Sequence, residues 1–198
     1  MKKLLIGCFV IFGIAIVVFF FTDVKMMYWN SQMLGKYAVD KTNLYMDGIL
    51  NSNTHTQIKR ILDQNPQIDT LILVDVNGSI DSDNTMDIGY LIRERGLNTH
   101  LRHDSFIVSG GVDLFIAGVE RTMEGNPKVG VHSWGTFFSS VDGKDLPADD
   151  PAHEIYVKYH QDMLGDDDFY WFTLNAAPSS DYYYMTEREM RQYGLLTR

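Results

Sequence analysis

The sequence has little cysteine and few basic residues, and each shortage excludes a class of protein. Cys8 is the single cysteine in 198 residues, so an intramolecular disulfide and a cysteine-based zinc or iron–sulfur site are both excluded. Lysine and arginine total 17 against 26 aspartates and glutamates, giving a formal net charge of −9. Because nucleic-acid binding depends on neutralising phosphates, we expect no nucleic-acid partner. The hydrophobic content of 45% is enough for one globular domain.

Charged residues are missing from residues 4–22, which read LLIGCFVIFGIAIVVFFFT. As a helix, this segment spans about 28 Å, close to the hydrocarbon thickness of a bilayer. Lys2 and Lys3 precede it, and they predict a cytoplasmic N-terminus. We therefore predict a single-pass anchor over residues 1–22 in a bacterial inner membrane, with the rest of the chain in the periplasm.

Two processed forms are alternatives to an uncleaved anchor. A cleaved signal peptide needs small residues after the apolar run, whereas residues 19–22 are FFFT. The string LIGC at residues 5–8 resembles a lipoprotein cleavage box, but the apolar stretch before Cys8 is only four residues long. We favour the uncleaved anchor.

The remaining chain alternates between short apolar runs and amphipathic segments. Residues 23–42 lack a clear period and are predicted to be a linker. Predicted strands cover residues 44–46, 70–74, 97–101 and 128–131, and predicted helices bury Ile58, Ile61 and Leu62, then Ile88, Leu91 and Ile92, then residues 112–117. This alternation predicts an α/β domain over residues 43–198, with a mostly parallel sheet covered by helices on both sides.

The C-terminal part is predicted to be helical. Ile155, Tyr159 and Met163 share one helix face, and Thr186 with Glu189 forms a capping box that opens a last helix. Residues 139–151 are polar and rich in turn formers, so they are predicted to form an exposed loop or lid.

Ser109 lies between an extended segment and a predicted helix, and two glycines follow it. A helix N-terminus has free backbone N–H groups, and glycine lets a substrate carbonyl approach them, as an oxyanion-stabilising site requires. The alternative is that Ser109 only caps the helix. The segment is not a G-x-S-x-G nucleophile elbow, because residue 107 is isoleucine.

His132 ends the strand over residues 128–131, where α/β sheets present functional side chains. The other histidines show no convincing metal spacing, and we predict neither a metal nor a cofactor; they are His55, His100, His103, His153 and His160. Asp113 is unusual in an apolar helix, and it must pair with a base such as Arg121, line a cavity or face solvent.

Two motifs resemble the serine and histidine motifs of the Clp protease proteolytic subunit. They are SGGVDLFIAG at residues 109–118 and VGVHSWG at residues 129–135, and His132 follows Ser109 by 23 residues. Residues 71–101 look like that family's strand, glycine turn and helix, which form its substrate strip. The layout is most similar to membrane-anchored or periplasmic Clp-like proteins of Gram-negative bacteria, which share the endings seen here as FYWFTLNAAP, YYYMT and YGLLT. The resemblance extends from about residue 43 to the C-terminus and implies the ClpP/crotonase fold.

The resemblance also implies roles for individual residues. Ser109 matches the nucleophile and His132 the general base. Gly78 and Gly110 match the oxyanion-hole positions. Asp181 is the best match to the acid, one residue out of register, with Asp168 and Asp167 as weaker candidates. The family's proline-glycine-glycine turn is here Val76-Asn77-Gly78, so the substrate strip is expected to differ in shape.

The resulting hypothesis is a membrane-tethered periplasmic serine hydrolase, a peptidase that acts on a peptide or protein of the envelope and forms a homo-oligomer as relatives do. A second hypothesis is a non-catalytic interaction or scaffold module that binds through the old cleft or through an aromatic face at residues 169–172. The third is crotonase-type acyl-thioester chemistry, which fits poorly outside the cytoplasm, where coenzyme A is not expected.

Overall fold

The structure is a computed structural model that describes residues 35–135 and 141–198. The predicted membrane segment lies outside the described residues, as do residues 136–140 of the loop region. Within the described ranges, no helix is long and apolar enough to cross a bilayer.

Strands and helices alternate along the described chain. The strands are β1 (Lys36–Asp40), β2 (Asn43–Asp47), β3 (Thr70–Asn77), β4 (Asn98–Val108), β5 (Arg121–Met123), β6 (Lys128–Val131) and β7 (Tyr183–Tyr184). The α-helices are α1 (Thr54–Gln64), α2 (Ser82–Glu94), α3 (Gly110–Ile116), α4 (Glu154–Leu164), α5 (Asp168–Ala176) and α6 (Glu187–Gln192). Two short 3-10 turns, Gly143–Asp145 and Pro151–His153, precede α4.

The strands form one mixed sheet in the order β1-β2-β3-β4-β6-β7, and β5 pairs with β4 outside this path. The central strands β2, β3, β4 and β6 run parallel, whereas β1 and β7 pair antiparallel at the two edges. The predicted α/β class and the parallel centre are therefore confirmed. The antiparallel edges were not predicted.

Strand β1 falls inside the segment predicted to be a linker, residues 23–42. It forms a hairpin with β2, and Lys41 in the turn has a φ of 55°. All but one of its five residues are exposed. An edge strand with so little burial has no hydrophobic period to reveal it, which explains the difference.

Strand β4 is long enough to pair with two strands along the same edge. It pairs with β5 along Thr99–Leu101 and with β6 along Phe106–Val108. Between these stretches the register with β3 shifts, and Ser105 fills the gap: its hydroxyl donates to the Leu73 carbonyl at 2.5 Å and accepts the Arg102 N–H at 2.9 Å.

Three of the central strands, β3, β4 and β6, end side by side. Val108 pairs with Asn77 of β3 on one side and with Gly130 of β6 on the other. The residues that follow these ends, Gly78, Ser109 and His132, are thereby delivered to one edge of the sheet, the edge at which open α/β sheets bind ligands.

The predicted helix faces pack into one core beside the sheet. Ile58, Ile88 and Ile92 are fully buried, and the Asp81 side chain caps α2 by accepting the Asn84 N–H at 3.1 Å. The capping box of Thr186 and Glu189 is present.

The predicted face of α4 is only partly correct. Tyr159 and Met163 are buried, but Ile155 is 38% exposed. The first turn of α4 is covered instead by Tyr156, whose ring stacks on Tyr170 at 5.7 Å. Aromatic stacking therefore replaces aliphatic packing at this end of the helix.

Candidate active site

Ser109 is the residue at which the chain turns from β4 into α3. Its φ of 51° and ψ of −123° lie in a region that residues with a β-carbon rarely occupy. Among the non-glycine residues that the structure describes, only Lys41 shares a positive φ. Such a conformation costs about 1–3 kcal/mol and is found where function requires it. Ser109 occupies the N-cap position of α3, but its hydroxyl makes no capping hydrogen bond with the helix, so a role as a side-chain cap is wrong.

Two glycines bring backbone close to Ser109. Gly78 has a φ of 94°, and a β-carbon placed on it would lie 3.5 Å from the β-carbon of Ser109. A β-carbon on Gly110 would lie 2.9 Å from that of Ser79, so α3 begins in tight contact with the turn after β3. Gly110 is the first residue of α3, where a backbone N–H has no intrahelical acceptor. Both glycines predicted for the oxyanion hole therefore flank the serine.

His132 follows β6 directly and lines the same cavity as Ser109. Its ring contacts Tyr182 edge-on, with ring centroids 5.0 Å apart. Burial lowers the pKa of His132, although the backbone of Ser133 and the charge of Asp142 oppose the shift. A lowered pKa keeps the imidazole neutral near pH 7, the form that can accept a proton.

The third member of the predicted triad does not contact His132 in this arrangement. Asp181 is exposed, and its carboxylate accepts the N–H of Tyr182 at 2.8 Å. Nδ1 of His132 is buried without a hydrogen-bond partner among the described residues. Asp142 is the carboxylate whose charge acts on His132, but its oxygens already accept the N–H groups of Ser179 and Lys144.

The two weaker candidates for the acid lie at the start of α5, Asp167 as its N-cap residue and Asp168 as its first residue. Asp167 accepts the indole N–H of Trp171 at 3.2 Å, and Asp168 is exposed at the first position of the helix. Neither lines the cavity that holds Ser109 and His132.

The cavity has a volume of about 140 Å³ and extends from Ser109 along α3. Its lining includes hydroxyl groups from α2 and the turn before it, and aromatic rings from α4 and α5. The polar lining residues are Ser79, Ser82, Thr85, Ser109, Asp113, His132, Tyr156, His160, Tyr170 and Thr173, and the apolar ones include Met86, Val112, Val131, Trp134 and Phe169.

His160 was not predicted to be a cavity residue, and the place of Asp113 was left open between an ion pair, a cavity and the solvent. Asp113 lies one helical turn after Ser109 and lines the cavity, whereas Arg121 donates to the carbonyls of Gly118, Gly194 and Leu195 instead. His160 faces the same cavity from α4. No local sequence pattern identifies His160 as a cavity residue, because its place depends on how α4 packs in the fold.

The aromatic residues of α5 are part of the interior. Phe169 and Tyr170 are each 1% exposed. The Tyr170 hydroxyl accepts the Trp134 indole N–H at 2.9 Å and contacts Nδ1 of His153 at 2.5 Å. The predicted aromatic binding face at residues 169–172 is therefore not a free surface, because its first two rings pack into the protein.

No cluster of three or more metal-binding side chains occurs in the part of the chain that the structure describes.

No protein-family model and no curated protein matches this sequence. The fold, however, is similar to solved structures. One is a membrane-bound stomatin-specific protease, 1510-N, in a lysine-to-alanine variant bound to a substrate peptide, with a TM-score of 0.53 and 14% identity over 81% of this chain and 75% of that one. Another structure of this protease, a serine-to-alanine variant, gives a TM-score of 0.52 and 13% identity over 81% and 80%.

An enoyl-CoA hydratase/isomerase family member matches equally well, with a TM-score of 0.53 and 11% identity over 82% of this chain and 67% of that one. Identities this low show the fold alone. The fold is ClpP/crotonase-like, as the sequence motifs predicted, and both the protease and the enoyl-CoA hydratase/isomerase family member have a similar fold. The chemistry of this chain must therefore be argued from its own site.

Proposed function

We propose that this chain is a membrane-tethered periplasmic serine hydrolase that acts as a peptidase. The observation that carries the proposal is the strained backbone of Ser109, whose hydroxyl caps no helix and shares a cavity with His132. Strained backbone conformations of this kind are concentrated at active sites, where they position a side chain for a substrate.

In the proposed reaction, Ser109 Oγ attacks the carbonyl carbon of a peptide bond while neutral His132 takes the hydroxyl proton. The backbone N–H groups of Gly78 and Gly110 bind the oxyanion of the tetrahedral intermediate. His132 then donates its proton to the leaving amine as the C–N bond breaks. A water molecule, deprotonated by His132, hydrolyses the acyl-enzyme and restores Ser109.

Asp181 is the proposed acid of the triad. To act, its carboxylate must leave the Tyr182 N–H and reach Nδ1 of His132, which has no partner within the described chain. The Asp181 carboxylate accepts the Tyr182 N–H at 2.8 Å, so the rearrangement requires that hydrogen bond to break.

The cellular setting is part of the proposal. Residues 4–22 anchor the chain in the inner membrane, and Lys2 and Lys3 hold its N-terminus in the cytoplasm. The substrate is then a peptide or protein segment in the envelope, and copies of the chain associate.

The test is labelling of the full chain, kept in detergent, with a fluorophosphonate probe. We expect the wild type to label and Ser109→Ala and His132→Ala to lose labelling. Ser52→Ala, a change at an exposed serine away from the cavity, is the matched control and should label like the wild type. Folded wild-type protein that stays unlabelled would contradict the proposal.

A non-catalytic binding module is the second candidate. The unpartnered Nδ1 of His132 favours it, because a histidine without an orienting acid is a weaker base. Such a module would bind its partner through the cleft, and a captured envelope peptide would stay bound after substitution of both Ser109 and His132.

A further inference from the structure

The far end of the Ser109 cavity holds an acid and a histidine that the proposed reaction does not use. Asp113 Oδ1 lies 3.8 Å from Nε2 of His160. The His160 residue is only 2% exposed, while the Asp113 side chain is 20% exposed and lines the cavity. The separation is too long for a direct hydrogen bond, so the pair is open to a third group.

Each of the two side chains has an acceptor atom for which the described chain shows no hydrogen bond. Nδ1 of His160 lies 2.8 Å from the Tyr156 carbonyl, so this nitrogen carries the proton and donates it. Nε2 is left with a lone pair, and it is buried without a hydrogen-bond partner among the residues described. The Asp113 carboxylate beside this unprotonated Nε2 forms a binding site for a hydrogen-bond donor.

No lysine or arginine of the described chain forms an ion pair with the Asp113 carboxylate. Arg93 donates to the carbonyls of Ile116, Ala117 and Met163, and Arg121 is occupied by the carbonyls near the C-terminus. Burial raises the pKa of Asp113 to about 7 and lowers the pKa of His160 to about 4. A buried carboxylate without a cation is costly, and an incoming cation would relieve that cost.

We propose that this cavity receives the lysine or arginine side chain of a substrate residue whose carbonyl lies at Ser109. The ammonium or guanidinium group binds between Asp113 and His160, and its aliphatic stem packs on Met86, Val112 and Phe169. This inference rests on the proposed function for the placement of the carbonyl, but the preference for a basic side chain is a property of the cavity itself.

The test measures binding rather than turnover. Full-chain Ser109→Ala protein in detergent is titrated with two fluorescent peptides that differ only in a C-terminal lysine or norleucine, and fluorescence anisotropy gives the affinities. We expect the lysine peptide to bind at least about tenfold more tightly. Adding Asp113→Asn should bring the two affinities within about twofold of each other, because the charge-assisted contact is lost.

The matched control is Asp87→Asn, which makes the same chemical change on the exposed side of α2 and should keep the preference. Thermal unfolding establishes that each variant is folded. Equal affinities, tighter binding of norleucine, or no binding of the lysine peptide would each overturn the inference.

The outcome is separable from that of the proposed function. A lysine preference in a protein that resists the fluorophosphonate probe would uphold the cavity assignment and reject the hydrolase. Labelling at Ser109 without a lysine preference would do the reverse.

Discussion

The backbone N–H of Ser109 donates to the carbonyl oxygen of Gly130 at 3.1 Å. This bond fixes the end of β4 to the end of β6, and His132 lies two residues after Gly130. The relative position of the proposed nucleophile and base is therefore set by the sheet rather than by a flexible loop. A site held by strand ends needs little reorganisation when a substrate binds, which is a condition for electrostatic stabilisation of a transition state.

Gly78 should contribute an oxyanion-hole donor to the reaction at Ser109. Gly78→Ala adds a β-carbon 3.5 Å from that of Ser109 at a residue with a φ of 94°. We expect a loss of about 1–2 kcal/mol of stability from backbone strain and at least about a tenfold slower fluorophosphonate labelling, because an oxyanion donor is displaced.

Gly96→Ala is the control that separates the loss of stability in Gly78→Ala from its effect on labelling. Gly96 also has a positive φ, 68°, but nothing lies within 4 Å of its would-be β-carbon, and it lies outside the cavity. It should lose similar stability in urea unfolding and label like the wild type. If both variants label normally, Gly78 has no part in the oxyanion hole.

Asp181 should matter more to the reaction than Asp142. Asp181→Asn is expected to slow labelling at least about tenfold, since an amide cannot stabilise a protonated His132. Asp142→Asn should slow it less, because the oxygens of Asp142 are already engaged by the Ser179 and Lys144 N–H groups and mainly hold the loop. Labelling rates of both variants decide the point, and the opposite ranking would assign the acid to Asp142.

The pH dependence of labelling should report the lowered pKa of His132. Only neutral imidazole acts as a base, so the rate should rise with pH and reach its plateau with a midpoint below the ordinary value of about 6.5. Asp142→Asn should move the midpoint lower still, because the Asp142 charge favours the protonated ring. A midpoint at or above 6.5 in the wild type contradicts this assignment.

Sequence patterns were sufficient for the elements that carry a hydrophobic period or a local motif. The buried run of β3, the core face of α2 and the Thr186–Glu189 capping box follow from side chains a few residues apart. The Ser109 and His132 motifs lie at strand ends that line one cavity, because the ends of neighbouring strands in a parallel sheet converge.

Other features depend on contacts between distant segments. β1 is an exposed edge strand that is held by backbone hydrogen bonds. Its side chains therefore show no hydrophobic period from which the strand could be predicted. The closeness of Asp113 to His160 depends on how α4 packs against α3, and no local spacing encodes it. The orientation of Asp181 likewise depends on a turn whose hydrogen bonds involve Pro178 and Tyr182.

The buried carboxyl of Asp113 should make the stability of the protein depend on pH. Its pKa is raised by burial to about 7 in the folded state, against about 3.9 in an unfolded chain. Between these values the folded state binds the extra proton, so the stability contributed by Asp113 falls as pH rises. His160, with its pKa lowered to about 4, contributes the opposite slope up to about pH 6.5.

Replacing Asp113 isolates its share of that pH dependence. Asp113→Asn should match the wild type near pH 4 and become more stable than it by about 2–4 kcal/mol above pH 7, where the wild type must bury a charge without a cation. Urea unfolding of the full chain at pH 4 and pH 8 measures the difference, and Asp87→Asn should show none. If Asp113→Asn is the less stable protein at pH 8, another group of the protein stabilises the ionised Asp113 carboxylate. The cavity would then have no unpaired charge for a substrate cation to neutralise.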